Sequence, residues 1–369
     1  MTESLDEQFM RLALKEAKKG LGRTSPNPCV GAVIVKNGQV VAKGYHKKAG
    51  AAHAEIDAIQ KSSQSLSGAT IYVTLEPCNH TGKTPPCSEA LVASGFSRVV
   101  VGMTDPNPLV DGSGIDYLKN HSIAVTRGVL EDECRSLNYP FIKHITEKMP
   151  WTIMKAGVSL DGKLNYQHGY SGWITGEESA LEVHKIRNQV DAILVGRKTI
   201  EIDNPSLTTR ISGGQAKDPV RIILDSKLAT SPVSKVYHLD SEAPTWIICA
   251  TDAPQSKRKE FEAAGVRLIA IDREENGLDL RIVLKTIAQE NICSVLVEGG
   301  ASVHGAFLRE KLFDYAYLFY APLFAGDHGI PLIEGCQVQE RETAPRLVDI
   351  THKRLGEDML ISGRLSYQK

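Results

Sequence analysis

The spacing of apolar and polar positions predicts alternating helices and strands along the first part of the chain. Apolar residues from Leu5 to Ala17 recur at helical spacing, and Gly20 follows them as a stop signal. Two apolar runs flank Asn37-Gly38, a pair that favours a tight hairpin turn. Alternation of this kind predicts a sheet covered by helices. Further helices are predicted at 53–61, from Cys87, after Gly114 and at 131–138, and further strands at 70–75, 98–103 and 123–125.

A second pattern starts after a charged stretch from Lys143 to Lys148 and Pro150, which we interpret as a linker. The length of 369 residues also suggests two domains, and we place them at 1–146 and 147–369. In the second domain, strands are predicted at 151–158, 192–195, 220–224, 246–250, 266–269 and 294–297, and helices at 178–190, 255–264 and 278–289. This alternation again predicts an α/β fold.

Composition excludes some functional classes. A hydrophobic content of 42% and a net charge of −1 are typical of a globular protein without a basic nucleic-acid-binding surface. The acidic start of the chain lacks the features of a signal peptide, and no apolar run is long enough to span a bilayer. Seven scattered cysteines do not form a disulfide framework, so we expect a reducing cytoplasm and no membrane partner.

The strongest chemical signal lies between His53 and Cys87. His53, Cys78 and Cys87 offer one imidazole and two thiols, a set that suits zinc and leaves a fourth position for water. Zinc lowers the pKa of a bound water and so supplies hydroxide. Glu55 is placed to carry protons, and His-x-Glu followed by Pro77-Cys78 is the signature of zinc nucleobase deaminases.

Other interpretations of this segment exist. His80 could complete a structural zinc site with the same three ligands, and isolated His or Cys residues are often only packed in a core. Eight residues separate Cys78 from Cys87, where the general deaminase pattern has two. The spacing of Glu55 together with Pro77-Cys78 favours the catalytic interpretation.

The pattern Cys-x-His-x-Gly-x-Thr-Pro-Pro-Cys at 78–87 resembles the deaminase half of the bifunctional riboflavin-biosynthesis deaminase/reductase family. Segments at 155–163, 171–175, 203–210 and 297–300 resemble its reductase half. The resemblance implies a three-layer, cytidine-deaminase-like N-terminal domain and a dihydrofolate-reductase-like C-terminal domain. It also implies zinc and NADPH as cofactors, small pyrimidine nucleotides as substrates, and a homo-oligomer formed through the reductase domain.

The reactions implied are deamination of 2,5-diamino-6-ribosylamino-4(3H)-pyrimidinone 5′-phosphate and reduction of the ribosyl group of 5-amino-6-(5-phosphoribosylamino)uracil. In the first, Glu55 is the catalytic residue beside zinc held by His53, Cys78 and Cys87. Residues implied to meet the cofactor are Ala156, Trp173, Thr199, Asp203, Gly299, Gly300, Ala301 and Ser302. Those implied to meet substrate are Asn27, His46, His80, Lys83, Lys155, Ser171, Arg187, Leu207, Arg210 and Glu298.

Several of these residues have simpler interpretations. Asn27 could only form a turn between two prolines, and His80 and Lys83 could lie on a solvated loop. Arg187 could belong to a solvated helix face, and Arg210 could be a loop charge.

The strand that ends at Gly299-Gly300 suits a phosphate-binding turn, but the full Gly-x-Gly-x-x-Gly fingerprint is absent. The resemblance to dihydrofolate reductase further implies a cis peptide between these two glycines. Alternatives for the whole chain are a nucleic-acid-editing deaminase and a second domain without catalysis. The balanced charge and the 6% aromatic content disfavour the editing deaminase, which needs a basic or aromatic surface.

Overall fold

The computed structural model describes residues 3–79, 85–107, 112–213, 216–274 and 277–368. The chain divides into two units, Met1–Met149 and Pro150–Lys369. The boundary therefore falls between residues 149 and 150. The sequence pattern placed it between residues 146 and 147. In the described part of the chain, no helix is both long and apolar enough to cross a membrane.

Helices and strands alternate in the first unit, as the apolar pattern predicted. They are α1 Leu5–Ala17, β1 Gly31–Lys36, β2 Gln39–Tyr45, α2 Ala54–Lys61, β3 Thr70–Leu75, α3 Cys87–Ala93, β4 Arg98–Met103, α4 Ser113–Asn120, β5 Ala124–Arg127, α5 Glu131–Leu137 and α6 Tyr139–Glu147, with a 3-10 turn at Lys18–Gly20. The sheet order is β2-β1-β3-β4-β5, antiparallel at β1 and parallel from β3 to β5. The hairpin turn at Asn37-Gly38 is confirmed, with positive φ at both residues.

Two glycines let helices approach this sheet on opposite faces. A Cβ on Gly31 would lie 2.1 Å from the Ala13 carbonyl oxygen of α1, and one on Gly44 would lie 2.4 Å from the Ala54 carbonyl oxygen of α2. Gly44 pairs with Ala32, the residue after Gly31, so the two glycines point to opposite sides of the sheet. The sheet thus lies between α1 and α2, and the predicted three-layer arrangement is confirmed.

The linker predicted at Lys143–Lys148 is wrong, because α6 covers most of it. Pro140 lies in the first turn of the helix, where a missing N–H has no cost. Ile142 packs against the core of the first unit. The charges that suggested a linker therefore belong to the polar side of an amphipathic helix.

The second unit is built on a nine-stranded sheet in the order β10-β9-β8-β7-β13-β6-β14-β16-β15. Its elements are β6 Trp151–Val158, α7 Glu177–Arg187, β7 Ala192–Gly196, α8 Arg197–Asp203, β8 Val220–Leu224, β9 Thr245–Ala250, α9 Gln255–Ala263, β10 Arg267–Ile271, β11 Arg273–Glu274, β12 Gly277–Leu278, α10 Leu280–Gln289, β13 Ser294–Gly299, α11 Ala301–Arg309, β14 Tyr315–Tyr320, β15 Arg346–Leu355 and β16 Asp358–Ser366, with a 3-10 turn at Lys235–Tyr237. Strands from β10 to β14 in this order are parallel, and β16 and β15 pair antiparallel at the edge.

Parallel strands set the position of any site in this unit. Their carboxyl ends meet at one edge of the sheet, where α/β proteins bind ligands. The sequence pattern predicted β6, β7, β8, β9, β10 and β13 but made no prediction for α8, for the short strands β11 and β12, or for the strands after α11. The edge strand β15 was not predicted because most of its residues are exposed, so its sequence lacks the regular alternation of apolar and polar positions that indicates a strand.

Candidate active sites in the two units

Three potential metal ligands meet where two helices of the first unit begin. His53 is the N-cap of α2, Cys87 is the first residue of α3, and Cys78 lies shortly after β3. The Nδ1 atom of His53 lies 3.2 Å from Sγ of Cys87 and 3.5 Å from Sγ of Cys78. All three ligand atoms fall within 4.8 Å of one another. One imidazole and two thiols so close together fit a zinc ion.

Hydrogen bonds lower the pKa of one of the two thiols in this group. The Cys87 thiol and the His53 ring lower the pKa of the Cys78 thiol to about 4, against the opposing effect of burial. The same hydrogen bond and burial raise the pKa of Cys87. The backbone N–H of Cys87 also donates to Cys78 Sγ at 3.4 Å. Because the thiolate is the form that binds metals, these contacts favour metal binding by the pair.

Ser88 ties together the two ends of the loop between the cysteines. Its Oγ donates to Asn79 Oδ1 at 2.7 Å, and its backbone N–H donates to the Cys78 carbonyl at 3.1 Å. Ser88 is fully buried, so these bonds are shielded from water. His80 and Lys83, predicted as substrate contacts, lie in this loop outside the described residues.

Glu55 lies in the first turn of α2, two residues after His53. Its side chain is buried, and burial raises the pKa of its carboxyl to about 7, although the nearby His53 acts in the opposite direction. A carboxyl that titrates near neutrality can both accept and donate a proton. This environment suits the proton transfer for which Glu55 was predicted.

Asn27 and His46 lie beside the three potential ligands. The Nδ2 atom of Asn27 donates to Nε2 of His46 at 3.1 Å, and Nδ1–H of His46 donates to the Ala52 carbonyl at 3.0 Å. Burial lowers the pKa of His46, which keeps its ring neutral. The rings of His46 and His53 meet edge to face at 5.5 Å between centroids. The structure therefore places Asn27 and His46, the two predicted substrate residues of the first unit that it describes, beside His53, Cys78 and Cys87.

Glu76 is a buried carboxylate that the motif contains but whose role the sequence did not predict. Its Oε2 accepts the backbone N–H groups of Asp105 and Gly112, each at 3.2 Å. Its Oε1 accepts those of Gly114 at 3.1 Å and Ile115 at 3.3 Å. Four donors thus converge on the residue that precedes Pro77-Cys78. An acidic residue directly after the apolar strand β3 was the available signal.

In the second unit, a cavity of about 640 Å³ opens at the carboxyl ends of β6, β7 and β13. Every residue of this unit that was predicted to contact NADPH or the substrate lines the cavity. They are Lys155, Ala156, Ser171, Trp173, Arg187, Thr199, Asp203, Leu207, Arg210, Glu298, Gly299, Gly300, Ala301 and Ser302. The volume lies within the range of ordinary small-molecule sites.

Glu298 is the charge centre of this cavity. Arg187 donates to both its oxygens, from Nε at 2.7 Å and from Nη2 at 2.8 Å, and Lys155 Nζ lies 3.5 Å away. Although burial opposes ionisation, the charges of Arg187 and Lys155 lower the pKa of Glu298 to about 2. The carboxylate is therefore ionised, and Arg187 belongs to a buried ion pair rather than to a solvated helix face.

The cis peptide predicted for Gly299-Gly300 is wrong. Among the described residues only Ser25–Pro26 is cis. Gly300 instead has φ 82° and ψ 149°, a conformation open to glycine almost alone, and it is the N-cap of α11. A Cβ there would meet only Thr199 Oγ1, at 3.7 Å, so the backbone turn faces open space. The need for glycine comes from the positive φ of this turn.

Comparisons with known families agree with this division of the chain. Residues 3–103 match the model described as "Cytidine and deoxycytidylate deaminase zinc-binding region", and residues 150–361 match that of the "RibD C-terminal domain". The chain is 40% identical over 359 residues to the riboflavin biosynthesis protein RibD of Bacillus amyloliquefaciens, covering 97% of this chain and 96% of that protein. It is 35% identical to RibD of Escherichia coli, covering 96% and 98% respectively.

Solved structures give the same result. A deaminase and 5-amino-6-(5-phosphoribosylamino)uracil reductase from Thermotoga maritima is 36% identical, with a TM-score of 0.86 and coverage of 98% of this chain and 99% of that one. RibD of Acinetobacter baumannii is 34% identical, with a TM-score of 0.87 and the same coverage. These similarities extend over both units.

The Glu76 contacts predict that Glu76→Gln destabilises the first unit. Each carboxylate oxygen accepts two N–H groups, so an amide nitrogen in either position must face two donors. We expect a loss of about 2–3 kcal/mol in the free energy of unfolding. Urea denaturation and faster amide hydrogen exchange at residues 112–115 would measure it. Glu89→Gln, on the exposed side of α3, is the matched control, and an equal effect of the two substitutions would contradict the role of Glu76.

Proposed function

Because the chain belongs to the RibD family of riboflavin-biosynthesis proteins, we propose that its two units divide the two reactions of that family between them. The protein is a bifunctional enzyme of riboflavin biosynthesis, with a deaminase and a reductase domain. We assign deamination to residues 1–146 and reduction to residues 147–369. The proposed substrates are the diaminopyrimidinone ribosylamino 5′-phosphate and then 5-amino-6-(5-phosphoribosylamino)uracil.

In the deaminase, we assign His53, Cys78 and Cys87 to one zinc ion. When bound, zinc lowers the pKa of water and so makes a nucleophile available at neutral pH. Glu55 would take one proton from the water and deliver it to the ring nitrogen, and it would carry the second proton of that water, released as the new carbonyl forms, to the amine that leaves as ammonia. Its pKa of about 7 supports both steps, because the carboxyl can accept and then release a proton at little cost.

Neighbouring residues of the first unit orient the substrate. Asn27 and His46 share a hydrogen bond beside the metal ligands, which supports their assignment to the pyrimidine pocket. His80 and Lys83 are proposed to meet the same substrate, Lys83 through its phosphate. The buried Glu55 next to three convergent ligands is the observation that carries the deaminase assignment.

In the reductase, we assign the cavity of the second unit to NADPH and the ribosylamino nucleotide. When bound, NADPH supplies the hydride that reduces the ribosyl group to a ribityl chain. Ala156, Trp173, Thr199, Asp203 and the turn at 299–302 are proposed to hold the cofactor. The open backbone at Gly300, directly before α11, supports a pyrophosphate position there. Substrate contacts are proposed for Lys155, Ser171, Arg187, Leu207, Arg210 and Glu298.

A cytoplasmic location and self-association through the reductase domain complete the proposal. None of the seven cysteines, all of which the structure describes, forms a disulfide, and a reducing compartment keeps thiols available as zinc ligands. The proposed partners are small nucleotides, with neither nucleic acid nor a membrane among them.

The ligand assignment predicts that Cys78→Ser loses zinc. A serine hydroxyl is a poor zinc ligand, and the thiol it replaces is the one with the lowered pKa. We expect metal content measured by elemental analysis to fall from about one zinc per chain to near zero. Cys336→Ser, which changes a free cysteine of the second unit, should retain full zinc. Full zinc in Cys78→Ser would overturn the assignment.

The separation of the two sites predicts that Glu55→Gln abolishes deamination and leaves reduction intact. The amide keeps the shape of Glu55 but cannot carry a proton. We expect the deamination rate to fall by at least about 10²-fold, which is the lower range for loss of general acid–base catalysis. Reduction of separately supplied deaminated substrate should stay at the wild-type rate. Loss of both activities in a folded variant would contradict two independent sites.

The turn before α11 predicts that Gly300→Val weakens NADPH binding. Valine disfavours the positive φ of this position, at a cost of about 1–3 kcal/mol, and its side chain enters the cavity. Titration of NADPH fluorescence should show a dissociation constant raised about tenfold or more, with zinc content and deamination unchanged. Gly265→Val is the matched control, because Gly265 also has a positive φ but does not line the cavity. Unchanged affinity in Gly300→Val would place the cofactor elsewhere.

A further inference from the structure

Arg187 and Arg210, the two arginines of the cavity that were predicted to contact substrate, have different environments. Arg187 is buried, and its guanidinium is committed to both oxygens of Glu298 and to the Thr208 carbonyl at 3.0 Å. Arg210 is exposed, and among the described residues it forms no ion pair with a carboxylate. Of these two arginines, Arg210 therefore keeps a positive charge that no carboxylate matches and that faces the cavity. A phosphate needs such a charge, because an arginine already paired must first lose its partner.

His184 is the residue that holds Arg210. It lies on α7 one turn before Arg187 and is only 5% exposed. Its Nε2 lies 3.3 Å from both Nε and Nη2 of Arg210, and its Nδ1 lies 3.2 Å from the backbone N of Arg210. Since Arg210 presents only donors to the ring, the ring must offer a lone pair. A neutral imidazole has one, on a single nitrogen, so it accepts from the guanidinium through Nε2 in the tautomer that carries its hydrogen on Nδ1. An imidazolium has none.

The surroundings keep this imidazole neutral. Burial lowers the pKa of His184 to about 4, and the charges of Arg187 and Arg210 act in the same direction. Glu298 and the Thr208 carbonyl oppose them with smaller effects. His184 is thus an uncharged acceptor next to two guanidinium groups, and it can orient one of them without neutralising it.

We propose that His184 is a positioning residue of the reductase, which holds the guanidinium of Arg210 towards the phosphate of the substrate, whereas Arg187 serves to fix Glu298. This division of roles rests on the proposed reductase function. It assigns a task to a histidine that the sequence motifs did not mark. It also separates two arginines that the sequence treats alike, one as a structural ion pair and the other as the phosphate ligand. The available sequence signal was the spacing of His184 and Arg187, three residues apart on one helix face.

The test compares two substrates that differ only in the phosphate. For each variant, kcat/KM is measured with 5-amino-6-(5-phosphoribosylamino)uracil and with its dephosphorylated form, and the ratio reports what the phosphate contributes. His184→Leu removes the acceptor, and we expect the ratio to fall about tenfold, mainly through KM, in line with the loss of a charge-assisted hydrogen bond. His184→Gln, which offers an amide oxygen, should recover much of the ratio. NADPH affinity, measured by fluorescence, should match the wild type in both.

Arg210→Met gives the reference for the same test. It should lower the ratio at least as far as His184→Leu, and the double variant should be no worse than Arg210→Met alone, because His184 acts through Arg210. A wild-type ratio in His184→Leu or in Arg210→Met, additive losses in the double variant, or an equal loss of NADPH affinity would each overturn the proposal. If His184→Leu does not fold, an unchanged ratio in Arg210→Met still decides against it. A wild-type enzyme that reduces neither substrate would instead refute the proposed reductase function.

Discussion

Each unit depends on a buried carboxylate whose charge is matched by fixed donors. Glu76 accepts four backbone N–H groups, and Glu298 accepts both arms of Arg187 with Lys155 beside it. An unpaired buried charge costs several kcal/mol, so each contact set must form as a whole. Each carboxylate lies at the end of a central parallel strand, where a site must be built from loops. These hydrogen bonds and ion pairs thus hold the chain segments around each carboxylate in one arrangement.

Glu76 and Glu298 have different partners, and this affects what each set of contacts can do. Backbone donors around Glu76 hold Asp105 after β4 and Gly112–Ile115 at the start of α4, and they carry no net charge. Arginine and lysine around Glu298 supply charge as well as position. The first arrangement anchors its loops at Glu76, two residues before Cys78, through backbone groups alone. The second matches, with side-chain charges, the acid that lines the cavity of the second unit.

The structure brings together residues that the sequence singled out by the type of their side chains. His53, Cys78 and Cys87 could be recognised because metal ligands need particular side chains at limited spacings. The partners of Glu76 are backbone N–H groups, which every residue except proline carries, so no side-chain pattern marks them. His184 was not predicted because its partner, Arg210, lies 26 residues away in the sequence and becomes a neighbour only in the folded chain. The turn at Gly300 was recognised as special, but its backbone geometry was transferred from a resemblance and was wrong.

The hydrogen bonds of Ser88 explain how eight residues can separate Cys78 from Cys87 while both sulfurs lie close to His53. Because Ser88 joins Asn79 and Cys78 at the base of the loop, the separation of the two sulfurs is set below the insertion and not by its length. We therefore expect the spacing of the two sulfurs to tolerate loops of other lengths and compositions between Asn79 and Pro86, because Ser88 and its partners lie outside the replaced segment.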